Sequence, residues 1–221
     1  MHARRLLLSI PVLALAFTLV PLRAPAASTP AIAAFDDAFA KVNDYTVTVR
    51  AHEVSGDRVQ DRTYHYWFKR PNFAKTEIVS GDGAGSGGVW NGGDQVHGHL
   101  KIGPFTVGKR VDLHDGRATS LRGYTIPDGL LQNEVARYKN TPGDLTQRSG
   151  PEMDGVPTDE IDLKVAAPNA NGGIARETLY LSKTTHFPVR QIRWEDNKIV
   201  ADETFSDLKT NVGLADSDFP F

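Results

Sequence analysis

The sequence predicts an α+β fold that is mainly β, in which one antiparallel sheet is covered by short helices. Apolar and polar residues alternate along most of the chain, which is typical of half-buried strands. Turn residues recur about every ten to fifteen positions with no helix between consecutive strands, so antiparallel pairing is expected. Two other stretches carry apolar residues at helical spacing and predict the covering helices.

The first 26 residues are expected to be a cleaved signal peptide. Arg4 and Arg5 give a positive start, an apolar run extends from Leu6 to Val20, and small residues at 24–26 offer a cleavage site. The run is shorter than the ~20 residues of a membrane-spanning helix. We therefore expect a mature protein without a transmembrane segment, located in the periplasm, with a single domain at residues 28–221. Secretion into the medium is the alternative.

Charge and cysteine content exclude several classes of function. The chain has 25 basic and 27 acidic residues, and removal of residues 1–26 takes away three arginines and no acid, which leaves a formal charge of −5. Nucleic acid is therefore not an expected partner. The sequence has no cysteine, which excludes disulfides, thiolate metal sites, a cysteine nucleophile and a lipid-modified N-terminal cysteine.

The first predicted element is a helix that begins at Ser28-Thr29-Pro30, where a hydroxyl caps the helix and proline needs no hydrogen-bond donor. Its apolar face comprises Ile32, Phe35, Phe39 and Val42. A strand follows from Tyr45, and a turn at Gly56-Asp57 leads to the next strand.

That second strand is unusually aromatic. Tyr64, Tyr66 and Phe68 fall on one face with Arg70 at the end, and Pro71 ends regular pairing because it has no amide hydrogen. The pattern predicts an apolar wall with a cation at its rim. The wall is either one side of a packed core or one side of a cavity.

Residues 81–88 are rich in glycine and fit the dinucleotide pattern G-x-G-x-x-G. That pattern requires a following helix, whereas residues 89–93 predict a short strand and a turn, so a hairpin loop is expected. His97 and His99 share a strand face at a spacing that allows metal binding, but no third ligand is evident, and solvated or packed histidines are the alternative.

The segment from Gly103 to Thr125 is expected to be irregular. Asp128 is expected to cap a second helix, which ends at residues 140–142 and packs against the first. The apolar face of this helix comprises Leu131, Val135 and Tyr138. Four strands are predicted at residues 157–165, 176–181, 189–195 and 198–207.

No familiar catalytic motif is present in the sequence, such as G-x-S-x-G, H-E-x-x-H or a phosphate-binding loop. The carboxylate pairs Asp36/Asp37 and Asp216/Asp218 are expected to be solvated. We therefore expect a protein that is not an enzyme and has no cofactor.

Strand residues expected to face inward are the candidate lining of a cavity. They are Val47, Val49, Tyr64, Tyr66, Phe68, Phe73, Ile78, Trp90, Leu179, Leu181, Ile192, Trp194 and Phe205. A filled core and a cavity require the same pattern, so the sequence leaves both open.

Two pairs of motifs resemble a known family. Trp67-Phe68-Lys69-Arg70-Pro71-Asn72 with Val89-Trp90-Asn91-Gly92, and residues 187–191 with 205–214, resemble the LolA-like superfamily of periplasmic outer-membrane lipoprotein-sorting proteins. The resemblance implies a strongly curved, unclosed antiparallel sheet around a hydrophobic cavity, with helices as its lid. It also implies that acyl chains are the cargo and that Arg70 is a latch that holds the lid shut and takes part in handing on the cargo.

The leading hypothesis is a periplasmic carrier of lipid or lipoprotein acyl chains, with membrane-bound donor and acceptor proteins as further partners. The alternative is an envelope sensor of the same fold that detects lipid and binds a protein partner. As a latch, Arg70 predicts that the Arg70→Leu variant folds normally and retains lipid longer.

Overall fold

The computed structural model describes residues 28–220, so the predicted signal peptide lies outside the described residues. Two α-helices are present, α1 (Pro30–Phe39) and α2 (Leu131–Asn140). The strands are β1 (Asp44–Ser55), β2 (Arg58–Lys69), β3 (Phe73–Gly81), β4 (Gly87–Trp90), β5 (Gln95–Ile102), β6 (Phe105–Asp112), β7 (Gly143–Ser149), β8 (Thr158–Val165), β9 (Arg176–Ser182), β10 (Pro188–Glu195) and β11 (Lys198–Thr210). Neither helix has the length and apolar character that crossing a membrane requires.

All eleven strands form one antiparallel sheet in the order β6-β5-β4-β3-β2-β1-β11-β10-β9-β8-β7. The first strand is central, because β1 pairs with β2 on one side and with β11 on the other. The edge strands β6 and β7 do not pair with each other, so the curved sheet does not close into a barrel. This confirms the predicted fold class.

The two helices pack on one half of the inner face of the sheet. The ring of Phe39 lies 6.1 Å from that of Phe68 on β2, and the ring of Phe35 lies 5.7 Å from that of Phe187 before β10. Lys139 of α2 binds Asp36 of α1 at 2.8 Å, which joins the helices as expected. This half of the molecule is a packed hydrophobic core.

Two strands lie where the sequence predicted none. β6 occupies part of the segment that was expected to be irregular, and β7 follows α2 directly. Asp128 does not cap α2, because its carboxylate accepts hydrogen bonds from the amide and hydroxyl of Thr125 at 2.8 and 2.7 Å. The α2 amide of Leu131 instead donates to the hydroxyl of Tyr45 on β1 at 3.0 Å, which fixes the start of the helix to the sheet.

Candidate functional site

A cavity of about 260 Å³ lies beneath the other half of the sheet. It is enclosed by the inner face of β2–β6 and by residues 117–126, which we call the cover loop. Its inner end reaches β1, β11 and α2, and its outer end opens beside the β5–β6 hairpin. Part of the inner face is thus packed core and part is cavity.

One wall of the cavity is apolar and continues beyond it. Val96 pairs with Val111 near the buried end of the β5–β6 hairpin, and Leu100 pairs with Val107 further along. The exposed fraction rises from 1% at Val96 to 40% at Leu100 and 70% at Phe105 at the hairpin tip. Apolar side chains therefore lead from the interior to an exposed surface, which is characteristic of binding sites.

The inner end of the cavity is acidic. Glu53 on β1, Glu134 on α2 and Glu203 on β11 line it, and their exposed fractions are 3%, 2% and 9%. Glu53 accepts a hydrogen bond of 3.0 Å from the backbone amide of Arg122. Glu203 accepts no hydrogen bond from any residue between 28 and 220, and its ion pair with Arg193 Nη1 spans 3.6 Å.

Arg193 is the centre of a buried polar cluster at this end. Its Nη2 donates to Glu134 Oε2 at 2.6 Å, its Nε donates to Glu177 Oε2 at 3.4 Å, and the Tyr124 ring centroid lies 4.4 Å from its guanidinium carbon. Arg137 Nη2 also donates to Glu177, at 2.8 Å. The two arginines therefore pair with three carboxyl groups, those of Glu134, Glu177 and Glu203.

Burial is the main influence on the protonation of these carboxyl groups. Burial raises the pKa of Glu203 to about 8, against the attraction of Arg193, and repulsion by Glu134 adds to the increase. Burial also raises the pKa of Glu134. For Glu177, the effect of burial is outweighed by Arg193 and Arg137, so its pKa is lowered. Glu203 is therefore mostly protonated at neutral pH.

Hydrogen bonds to the sheet hold the cover loop in place. The Leu121 amide donates to Gln60 Oε1 at 3.0 Å, and Arg122 Nη1 donates to the carbonyl of Val54 at 2.6 Å. The Arg122 guanidinium also pairs with Glu195 on β10. Arg122 thus joins the loop to two separate strands of the sheet.

The predicted cavity residues occupy three places in the structure. Tyr64, Tyr66 and Ile78 line the cavity. The packed core takes in Val47, Val49, Phe68, Leu179, Leu181 and Phe205, and Trp90 packs against it. The outer face of the sheet carries Phe73, Ile192 and Trp194. There Phe73 packs on Phe219, and Trp194 packs on Arg176.

The outer placement of Phe73, Ile192 and Trp194 corrects the expectation that all three face inward. Phe73 precedes Ala74, which pairs with Phe68 in the core, so strand alternation turns Phe73 outward. The reason for the other two lies in β10. Their neighbours Gln191 and Arg193 face the interior instead, because they bind Tyr138 and Glu134 of α2. Strand alternation then places Ile192 and Trp194 on the opposite side.

Arg70 binds the end of helix α1. Its Nε donates to the carbonyl of Val42 at 2.6 Å, its Nη2 donates to that of Phe39 at 3.0 Å, and its guanidinium carbon lies 4.8 Å from the centroid of the Phe39 ring. A cation is favourable at a helix C-terminus, where carbonyl groups lack partners. Arg70 therefore holds α1 over the packed half of the sheet, and a role as latch stays a proposal.

The glycine-rich segment is a hairpin loop, as predicted, because β3 and β4 pair on either side of it. Its Ser86 and Gly87 line the cavity, as does His99. His97 faces Val89 and Arg110 across the neighbouring strands. Across residues 28–220, no three His, Asp or Glu side chains come together in a way that would hold a metal ion.

The exposed hairpin, the cover loop and the acidic inner end were not predicted from the sequence. One signal for the hairpin is present in the sequence. Leu100 and Ile102 alternate with polar residues before Gly103, and Phe105 and Val107 do so after it, which is typical of two strands joined by a tight turn.

No family model matches the sequence, and no curated protein matches it significantly. Solved structures are similar in fold. MucB has a TM-score of 0.52 at 12% identity, with 87% of this chain and 63% of MucB covered. The Mycobacterium tuberculosis lipoprotein LppX has a TM-score of 0.50 at 17% identity, with 84% and 95% covered. A LolA superfamily protein from Nitrosomonas europaea has a TM-score of 0.42 at 13% identity, with 88% and 99% covered. At these identities the likeness of MucB and LppX to this chain concerns the fold alone.

Proposed function

We propose that the protein is a periplasmic carrier or binding protein that holds the acyl chains of a lipid or lipoprotein in this cavity and transfers them across the envelope. The apolar wall that leads from Val96 to the exposed tip at Phe105 carries the proposal. An acyl chain on this wall gains ~0.8 kcal/mol for each methylene removed from water. The exposed tip offers a route between the cavity and a membrane surface, since it presents apolar side chains to solvent.

Transfer of a fluorescent fatty acid between donor and acceptor vesicles tests the proposal. Ile102 lies in the cavity wall and is 62% exposed, so we expect Ile102→Asp to fold normally and to slow transfer by about tenfold. Val79 is similarly exposed, at 53%, but lies outside the cavity, so Val79→Asp is the matched control. Absence of transfer by the unchanged protein, together with absence of co-purifying lipid in native mass spectrometry, would contradict a carrier.

Two arginines are candidate latches, and the same transfer experiment separates them. We expect Arg122→Met to release the fatty acid severalfold faster, because the cover loop loses its bonds to Val54 and Glu195. If α1 moves during transfer, Arg70→Leu should instead prolong the retention of the fatty acid.

Arg176→Met is the control for both latch variants, since Arg176 packs on Trp194 at the outer face. Equal release rates in Arg122→Met and Arg176→Met would show that the cover loop does not control access to the cavity. A stable complex with a protein in pull-downs, without bound lipid, would favour a sensor in place of a carrier.

A further inference from the structure

The cavity changes in polarity along its length. Its outer part is bounded by Leu100, Ile102 and Val107, whereas its inner end is bounded by Glu53, Glu134 and Glu203. The inner end is also the more deeply buried, because all three of these residues are buried whereas Leu100, Ile102 and Val107 are exposed. A ligand that fills the whole cavity therefore meets an apolar wall and an acidic end.

An alkyl chain does not suit the acidic end. A chain placed there would displace water from the carboxyl groups and supply no hydrogen bonds, and burial of polar groups without partners is unfavourable. The polar head of an amphiphile can replace the lost water. The chain then lies along the apolar wall, with its far end toward the hairpin tip.

The guanidinium donors of Arg193 at the acidic end are largely taken up by other acceptors. Arg193 Nη2 already donates to Glu134 and to Gln191 Oε1, at 2.6 and 3.0 Å, and no described group donates to Glu203. An ammonium group supplies three donors and one positive charge. It would give a charged donor to Glu203, which lines the cavity and accepts no hydrogen bond from residues 28–220, and it would favour the ionised form of that carboxyl group.

We propose that the inner end of the cavity binds the cationic head of an amphiphile, with a long-chain primary amine as the simplest representative, while the chain occupies the apolar wall. This inference rests on the proposed function, because it names the chemical class of the molecule carried. Charge-assisted hydrogen bonds to Glu203 and its neighbours supply the selectivity.

Three basic residues line the cavity. Lys109 on β6 and Arg117 of the cover loop lie toward the outer end, whereas Arg62 on β2 pairs with Ala51, which is also the strand partner of Glu203. Both arginines are engaged by other groups. Arg117 binds Asp115 through both Nε and Nη2, at 2.8 and 2.5 Å. Arg62 donates to the carbonyl of Asp82 and to the hydroxyl of Tyr64, at 2.8 and 3.2 Å. An amphiphile with an anionic head would remain at the outer end and leave the acidic end empty.

Binding of decylamine, decanol and decanoate to the purified protein tests the inference, because the three share one chain and differ in head charge. At pH 9 Glu203 is ionised and the amine is still cationic, so we expect decylamine to bind about tenfold more tightly than decanol. Glu203→Gln should abolish this preference, so that decylamine binds no more tightly than decanol. Glu160→Gln is the matched control, since Glu160 is 5% exposed but pairs with Arg148 outside the cavity.

The outcomes distinguish the inference from the proposed function. Equal binding of decylamine and decanol, tighter binding of decanoate, or a preference that survives in Glu203→Gln would overturn the cationic-head site and leave the carrier proposal standing. Failure of all three amphiphiles to bind would count against both.

Discussion

Replacement of Arg193 by methionine is expected to lower the free energy of unfolding by about 3–5 kcal/mol at pH 7. Methionine keeps much of the volume of the side chain but leaves the carboxyl groups of Glu134, Glu177 and Glu203 without their shared cation. Burial works to lower the pKa of Arg193, but the carboxylates around it prevail and raise the pKa well above its usual value. The guanidinium therefore stays charged, and its loss is strongly destabilising. Urea unfolding of the two proteins measures the difference.

Arg190→Met is the matched control, because Arg190 lies on the same strand and pairs with Asp202 in a partly solvated position. A loss below about 1 kcal/mol is expected there, as for other surface ion pairs. The loss in Arg193→Met should shrink at acid pH, since the stranded carboxyl groups can then be protonated. Similar losses in the two variants would show that the cluster contributes little to stability.

The fold was predictable because most of the chain obeys simple periodicity. Val47 and Val49 alternate with polar residues, and Phe35 and Phe39 recur at helical spacing, and both patterns face the packed core. The resemblance of the motifs around Arg70 and Pro71 then specified an unclosed curved sheet. Most strands that are neighbours in the sheet are also consecutive in the chain, so antiparallel hairpins account for most of the strand order.

The site was less predictable because it departs from these patterns. Arg193 and Glu203 face inward, where apolar residues are expected, and only long-range partners such as Glu134 explain their position. Phe105 is apolar yet 70% exposed, so its strand has no buried face at that point. Burial of charge and exposure of apolar groups are decided by tertiary contacts and function, which a local pattern does not contain.

The acidic end also costs stability. Three carboxyl groups share two arginines there, and an apolar residue in place of Glu203 would avoid the desolvation of a carboxylate. Unfavourable groups of this kind concentrate at functional sites. The unfavourable burial of Glu203 therefore favours a role in binding over a role in folding. The dependence of stability on pH tests this.

Glu203→Gln is expected to make the protein more stable at pH 9, by on the order of 3 kcal/mol, and to leave its stability near pH 4 unchanged. The pKa of Glu203 is about 8 in the folded protein and about 4.5 in the unfolded chain, so the folded state binds the additional proton between these values. Stability of the unchanged protein therefore falls as the pH rises from about 4.5 to 8. Glutamine cannot ionise, so the variant escapes this loss, and urea unfolding across the pH range measures it.

Glu177→Gln is the control with the opposite sign. The pKa of Glu177 is lowered in the folded protein, because Arg193 and Arg137 outweigh the effect of burial. Its stabilising contribution is present above the unfolded pKa and disappears as the pH falls through the lowered value. Glu177→Gln should therefore be less stable than the unchanged protein at pH 9 and should approach it in acid. Parallel pH profiles for Glu203→Gln and the unchanged protein would show that the Glu203 carboxyl group is solvated, and would remove the acceptor on which the cationic-head site depends.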